Sequence, residues 1–246
     1  MTAWVQLSNF LYPASCASCG ARFPLDSGRR SICAACLSRA ESLVQPACVI
    51  CSGAVDASQA RHGELRCRRC LESPPAFRRV YAIACYRSAA EDEPGSLPAL
   101  IRRHKYGFDQ ALSRALIEYL PASLPVVRED YDIVVPVPLH RRRLWQRGFN
   151  QSAILASEIA RRLKVELEVS GLARIRFTKP QTARDHAERQ RNVRDAFFAT
   201  PNRVKGRRVL LVDDVVTTGA TVNECTTALL EGGARAVDVF ALARVP

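Results

Sequence analysis

Asp213 and Asp214 stand side by side, directly after the apolar run 209–212 and shortly before Thr217, Thr218, Gly219, Ala220 and Thr221. The small and hydroxylic residues of 217–221 let several backbone N–H groups face one anion where a helix begins, and the helix dipole adds to the attraction. A phosphate fits there. The two carboxylates would repel that phosphate if they touched it, so their partners are neutral hydroxyls of an attached sugar, or a divalent cation that the sugar carries. Phosphate on one side and diol on the other describe a ribose 5-phosphate. The plainer reading of the same residues is a buried strand ending in an Asp-rich turn. The chain has neither a G-x-x-x-x-G-K-[ST] loop nor a G-x-G-x-x-G fingerprint, so the usual competing phosphate sites are absent.

A second chemistry is written in the cysteines. Eight of the ten form four C-x-x-C pairs: Cys16/Cys19, Cys33/Cys36, Cys48/Cys51 and Cys67/Cys70. Two thiolates separated by two residues grip one face of a zinc ion, and a second such knuckle completes tetrahedral coordination. Sequential pairing predicts two ions, one held by Cys16, Cys19, Cys33 and Cys36 and the other by Cys48, Cys51, Cys67 and Cys70. The spacing also permits an interleaved arrangement, and a small secreted module would use the same cysteines as disulfides. No third cysteine follows any pair at ferredoxin spacing. Four thiolate ligands leave no place for water, so zinc here is expected to be structural. Cys85 and Cys225 read as small core residues.

Between these signals lies the basic segment 135–151, in which Pro136-Val-Pro138 ends an apolar strand and Arg141, Arg142, Arg143 and Arg147 follow. Arginine binds phosphate oxygens in bidentate fashion and Gly148 permits close backbone approach, so this stretch reads as a basic loop beside a pyrophosphate. Residues 178–192 are polar and charged between folded elements. That composition suits a lid over the ligand, with Gln181 and Arg189 as its candidate contacts, or else a solvated surface loop.

The elements that must position these groups follow from periodicity. Strands are predicted at 79–86, 131–137, 209–212 and 237–243, and helices at 97–104, 110–120, 150–163 and 221–231. Their alternation predicts an α/β domain with a parallel sheet flanked by helices over 76–246. Residues 1–75 are poor in apolar periodicity and predict a Cys-rich module that needs its metal to fold, with the junction at Ser73-Pro74-Pro75. No apolar stretch approaches the roughly 20 residues that cross a bilayer, and the N-terminus lacks the basic region of a signal peptide, so no membrane partner and a cytoplasmic location are expected. The formal charge of +12 attracts polyanions. Arginine clusters near Tyr106, Trp145 and Phe149 make single-stranded DNA a candidate partner.

The run 209–221 closely resembles the phosphoribosyl pyrophosphate (PRPP) motif of type I phosphoribosyltransferases. Together with the cysteine module, His104-Lys-Tyr-Gly107, the Pro136-Val-Pro-Leu-His140 to Arg147-Gly-Phe-Asn-Gln151 block, and Gln181, Arg189, Asn192 and Ala196-Phe197, the whole chain resembles the ComF family. The resemblance implies a double zinc ribbon joined to a type I phosphoribosyltransferase-like domain, and a role in uptake of transforming DNA. It assigns the ribose hydroxyls to Asp213 and Asp214, the 5-phosphate to Thr217, Thr218, Gly219, Ala220 and Thr221, and the pyrophosphate region to Arg147 and Gly148, with magnesium accompanying PRPP. Arg147-Gly-Phe149 also resembles the pyrophosphate loop of adenine phosphoribosyltransferases. Arg184 and the acidic 91–93 insert depart from the family pattern. An active transferase would displace pyrophosphate from ribose C1, but no residue reads as a side-chain catalyst and none reads a base. A zinc module docked on a helicase or recombination factor is a third expectation.

Overall fold

The computed structural model describes residues 14–24, 30–56, 65–107, 110–177 and 195–246. Strands are β1 (Val80–Cys85), β2 (Ile133–Pro136), β3 (Glu166–Leu167), β4 (Leu172–Arg174), β5 (Phe197–Ala199), β6 (Arg208–Val216) and β7 (Ala236–Arg244). Helices are α1 (Ala34–Ser38), α2 (Arg68–Glu72), α3 (Leu97–Tyr106), α4 (Gln110–Glu118), α5 (Arg141–Arg147), α6 (Gln151–Leu163), α7 (Pro201–Val204) and α8 (Ala220–Glu231).

Five strands form one sheet in the order β1-β7-β6-β2-β3, and every pairing in it is parallel. Aliphatic runs on both sides of β6 and β7 explain this, because a parallel sheet is buried on both faces. Val209, Leu211, Val237 and Val239 pack toward α8 on one face. Leu210, Val212, Phe240 and Leu242 pack toward α3, α4 and α6 on the other. A separate antiparallel pair, β4 with β5, was not anticipated from sequence and packs near α8.

Helix starts follow their caps. Ser96 Oγ accepts from the Ala99 amide at the head of α3, and Asn150 Oδ1 accepts from the Ser152 amide at the head of α6. Two sequence expectations change. β6 runs to Val216, so Asp213 and Asp214 lie within the strand and not on the turn after it. The stretch expected as a basic loop is helix α5 over Arg141–Arg147, because His140 Nδ1 accepts from the Arg142 amide and Gly148, at φ 72°, ends the helix in the left-handed region.

The Cys-rich segment is wrapped onto the sheet and divides between its faces. Cys16, Ile32 and Cys36 join the core under α3 and α4, whereas Cys48, Cys51, Val55 and Cys70 join the core under α8. It also covers the edge strand β1. The Val80 amide donates to Ile50 O at 2.7 Å and the Cys85 amide donates to Glu41 O at 2.8 Å. Contacts at both ends of the strand cover part of an edge that would otherwise be open to another chain. Among the described residues no helix is long and apolar enough to cross a membrane.

Candidate functional site

β2 and β6 are neighbours, yet β2 continues outward to β3 on one side while β6 continues to β7 on the other. The loops leaving their C-terminal ends therefore diverge and leave a crevice, the usual ligand position of an open α/β sheet. A cavity of about 470 Å³ occupies it. Asp213 and Asp214 of β6, Thr221 of α8, and Val137, Pro138 and Leu139 after β2 line it. Lys105, Arg143, Arg147, Gln151, Ser152 and Arg174 also line it, with Gly107 and Gln146.

The acidic pair is the centre of this arrangement. Both residues are less than a tenth exposed. Ser152 Oγ donates to Asp213 Oδ1 at 2.9 Å, the Asp214 amide donates to the same oxygen at 2.9 Å, and Lys105 Nζ sits 2.9 Å from Asp214 Oδ2. Burial, followed by the negative charge of Asp214, pushes the Asp213 carboxyl up to about 7, against the smaller opposing pull of Lys105 and Ser152. Asp213 is therefore poised to shed a proton near neutrality when a cation or a hydroxyl donor arrives.

Four cations, Lys105, Arg143, Arg147 and Arg174, line the cavity against these two carboxylates. Burial pushes the Arg174 guanidinium down, and the nearby Arg143 adds to that effect. The excess of cations over carboxylates favours an anionic ligand. Gln151 Oε1 accepts from Arg147 Nη1 at 3.3 Å and so orients that guanidinium, while Gln151 Nε2 is buried without a hydrogen-bond partner among the described residues. A buried amide donor left unpaired marks a place where a ligand oxygen would be stabilised.

Thr221 reaches the main cavity, whereas Thr218, Gly219 and Ala220 line an adjoining cleft of about 190 Å³ beside Phe77 and Arg244. Gly219, at φ 82°, is the N-cap of α8 and turns the chain where a side chain would be strained. Thr217 is tied through its carbonyl, which accepts from Arg244. Arg147 lies in the cavity wall, but Gly148 serves as the stop of α5 and is not part of that wall. Gln181 and Arg189 lie outside the described residues. Arg143 belongs to the segment read as basic and beside a pyrophosphate, and Lys105 and Gln151 lie in family motifs without an assigned role, whereas Ser152 and Arg174 were missed. The local signal for Ser152 was the Asn150 cap, which places Gln151 and Ser152 at the head of a helix that must begin beside a strand end.

The cysteines form two four-sulfur clusters, Cys16, Cys19, Cys33 and Cys36, and Cys48, Cys51, Cys67 and Cys70, each with all its sulfurs within 4.8 Å of one another. Sulfur separations are 3.8 Å for Cys16 to Cys36, 3.8 Å for Cys19 to Cys33 and 3.6 Å for Cys51 to Cys67. A zinc ion with Zn–S bonds of about 2.3 Å has sulfur–sulfur edges of about 3.8 Å, so both clusters fit it. The clusters follow the sequential pairing, and none of the ten cysteines is in a disulfide.

Comparison with known proteins agrees with both halves. A family described as "Double zinc ribbon domain" matches residues 7–71, and one described as "Phosphoribosyl transferase domain" matches residues 150–246. DNA utilization protein YhgH of Escherichia coli (strain K12) is 37% identical over 238 residues, covering 94% of this chain and 97% of that protein. Competence protein F of Haemophilus influenzae is 29% identical, over 89% of this chain and 93% of that protein. The chain belongs to the ComF family. Competence protein ComFC of Streptococcus pneumoniae is 30% identical over 66% of this chain and 67% of that protein. In this ComF chain the phosphoribosyltransferase match begins at the α6 cap and includes Ser152, the acidic pair and α8, whereas Lys105, Arg143 and Arg147 precede it.

The raised Asp213 pKa has a sign that can be measured. An unfolded Asp titrates near 3.9, so between that value and about 7 the native state holds more protons than the unfolded chain. The stability this contributes is complete below the unfolded value and is lost as pH rises through the native one. From pH 6 to 8 the wild type is predicted to lose roughly 1 kcal/mol relative to Asp213→Asn, read from urea unfolding of zinc-loaded protein. A difference between the two proteins that stays flat or widens in the opposite sense contradicts the assignment.

Proposed function

We propose that this ComF chain binds PRPP with magnesium in the cavity between β2 and β6, and acts in the uptake of DNA for transformation. The observation that carries the reading is the buried pair Asp213 and Asp214, flanked by the 217–221 turn, with Lys105 paired to Asp214 and Arg143, Arg147 and Arg174 lining the same cavity. Asp213 and Asp214 hold the ribose hydroxyls, Thr217, Thr218, Gly219, Ala220 and Thr221 surround the 5-phosphate, and Lys105, Arg143 and Arg147 meet the pyrophosphate. Gly148 contributes by letting Arg147 end its helix beside the cavity. Magnesium, when bound, would neutralise pyrophosphate charge that these cations leave unbalanced. The DNA-uptake role rests on the names of the competence relatives and on family membership. We place the protein in the cytoplasm and the junction of its two parts at Ser73-Pro74-Pro75. We further assign docking on a helicase or recombination factor to the zinc module.

The same cavity would serve an active phosphoribosyltransferase of nucleotide salvage, since positioning and charge stabilisation supply most of such a reaction. Lys105, Arg143 and Arg147 would then stabilise departing pyrophosphate, while the acidic pair keeps the ribose fixed.

A second reading has its own observation. Trp145 on α5 is 88% exposed between arginines, and Arg142 lies over the Phe177 ring at 5.4 Å. An exposed indole amid cations is a stacking platform for single-stranded bases.

Calorimetric titration of zinc-loaded protein with PRPP and magnesium tests the first reading. Asp213→Asn/Asp214→Asn is expected to weaken binding by at least about 100-fold, and equal affinity in the double variant would overturn the site. Adding nucleobases and measuring pyrophosphate release then reports turnover. For the second reading, Trp145→Ala should weaken oligo-dT binding about tenfold by fluorescence anisotropy with PRPP affinity unchanged. An unaltered oligo-dT affinity removes α5 as the DNA-contacting surface.

A further inference from the structure

We propose that Arg244 is a positioning residue that fastens the 217–221 turn to the second metal knuckle, so that the metal-loaded knuckle sets the geometry of the ligand loop. Arg244 ends β7 and is 4% exposed. Its Nε donates to the Cys51 carbonyl at 3.0 Å, inside the knuckle formed by Cys48 and Cys51. Its Nη1 donates to the Val216 carbonyl at 3.3 Å and to the Thr217 carbonyl, at the start of the turn. One rigid fork thus spans both structures.

The guanidinium is tightly seated. A Cβ placed on Gly53 would lie 3.2 Å from Arg244 Nη2 and 3.3 Å from Cys51 Sγ, so a side chain there would press on the guanidinium and on the Cys51 sulfur together. Burying a guanidinium among backbone carbonyls is costly unless negative charge is near. A zinc ion held by four thiolates carries a formal charge of about −2, and Cys51 belongs to such a cluster. The loaded knuckle therefore offsets the buried cation, and the cation hands that attachment to the loop. The Ala76 amide also donates to Asn223 Oδ1 at 2.7 Å, and Phe77 lines the cleft beside Gly219 and Arg244. The turn and the start of α8 are thus tied both to Arg244 and to the segment that follows Cys70.

Preorganisation is what such a clamp supplies. A turn that must present several N–H groups to one phosphate binds more tightly when its backbone is already held in the bound geometry. The inference rests on the sugar-phosphate reading of this turn, but the anchoring itself is measurable without any ligand.

Arg244→Lys keeps the charge and loses the fork, since an ammonium on a flexible stem does not reproduce two fixed bonds. Gly53→Ala keeps the arginine and crowds its guanidinium from outside, and zinc content reports whether the Cys51 sulfur, crowded equally, still holds its metal. Each zinc-loaded variant is compared with wild type by zinc content, by hydrogen exchange of the free protein, and by calorimetric titration with PRPP and magnesium. With two zinc ions retained, amide exchange across 217–222 is expected to quicken at least about tenfold while β2 and α6 stay as protected as in wild type. PRPP affinity is expected to fall about tenfold. Unchanged loop exchange in both variants overturns the proposal, and so does faster exchange spread across the whole sheet, which would make Arg244 a general stability residue. If wild type does not bind PRPP, the sugar-phosphate reading fails, and loop exchange still decides the anchoring.

Discussion

Two carboxylates buried side by side near the end of the central strand are the constraint around which this protein is organised. Neither could be withdrawn from water without partners, because an uncompensated buried charge costs several kcal/mol. The partners come from elsewhere in the chain. Ser152 arrives from the first turn of α6 and Lys105 from the last turn of α3. Those contacts fix where both helices lie relative to β6, and with them the walls of the cavity. Raising one carboxyl toward neutrality is the residual cost of the arrangement, and it is a cost that a cation or a diol would relieve.

The two metal knuckles attach to this centre by separate routes. The first is held by α3 and α4: Arg103 donates to the Ala17 carbonyl at 2.7 Å, and Glu118 accepts from the Ser31 amide at 2.6 Å. Arg103 lies two residues from Lys105, so one helix carries both the grip on the knuckle and the counter-charge of Asp214. The second knuckle reaches the other side of the site through Arg244. A small Cys-rich segment that lacks a core of its own gains one by lending a cluster to each face of the sheet. In return it covers part of the exposed edge of β1.

Much of this was legible in the residues, and the parts that were not have physical reasons. The cavity wall built by Asp213, Asp214 and Thr221 could be read directly, because a buried strand, an acidic pair and a small hydroxylic turn occur in one stretch. The strand's continuation through both aspartates was hidden, since Asp is a poor strand former by propensity. Pairing of Asp213 with Ala241 and of Val215 with Ala243 overrides that preference. Helix α5 was masked by its arginines and by flanking proline and glycine, which signal a loop unless the His140 cap is recognised. The cysteine spacing left two pairings open, and only the folded chain brings the sulfurs together in the sequential one. Ser152 lies 61 positions from Asp213, and no local pattern connects residues so far apart.

The most direct test of the account is a crystal structure of the zinc-loaded protein with PRPP and magnesium at saturating concentration. The account predicts the ribose hydroxyls on Asp213 and Asp214, the 5-phosphate against the backbone N–H groups of 217–221, and the pyrophosphate among Lys105, Arg143 and Arg147. PRPP bound away from the acidic pair, or a cavity without ligand in crystals where the lattice leaves it open, would contradict it.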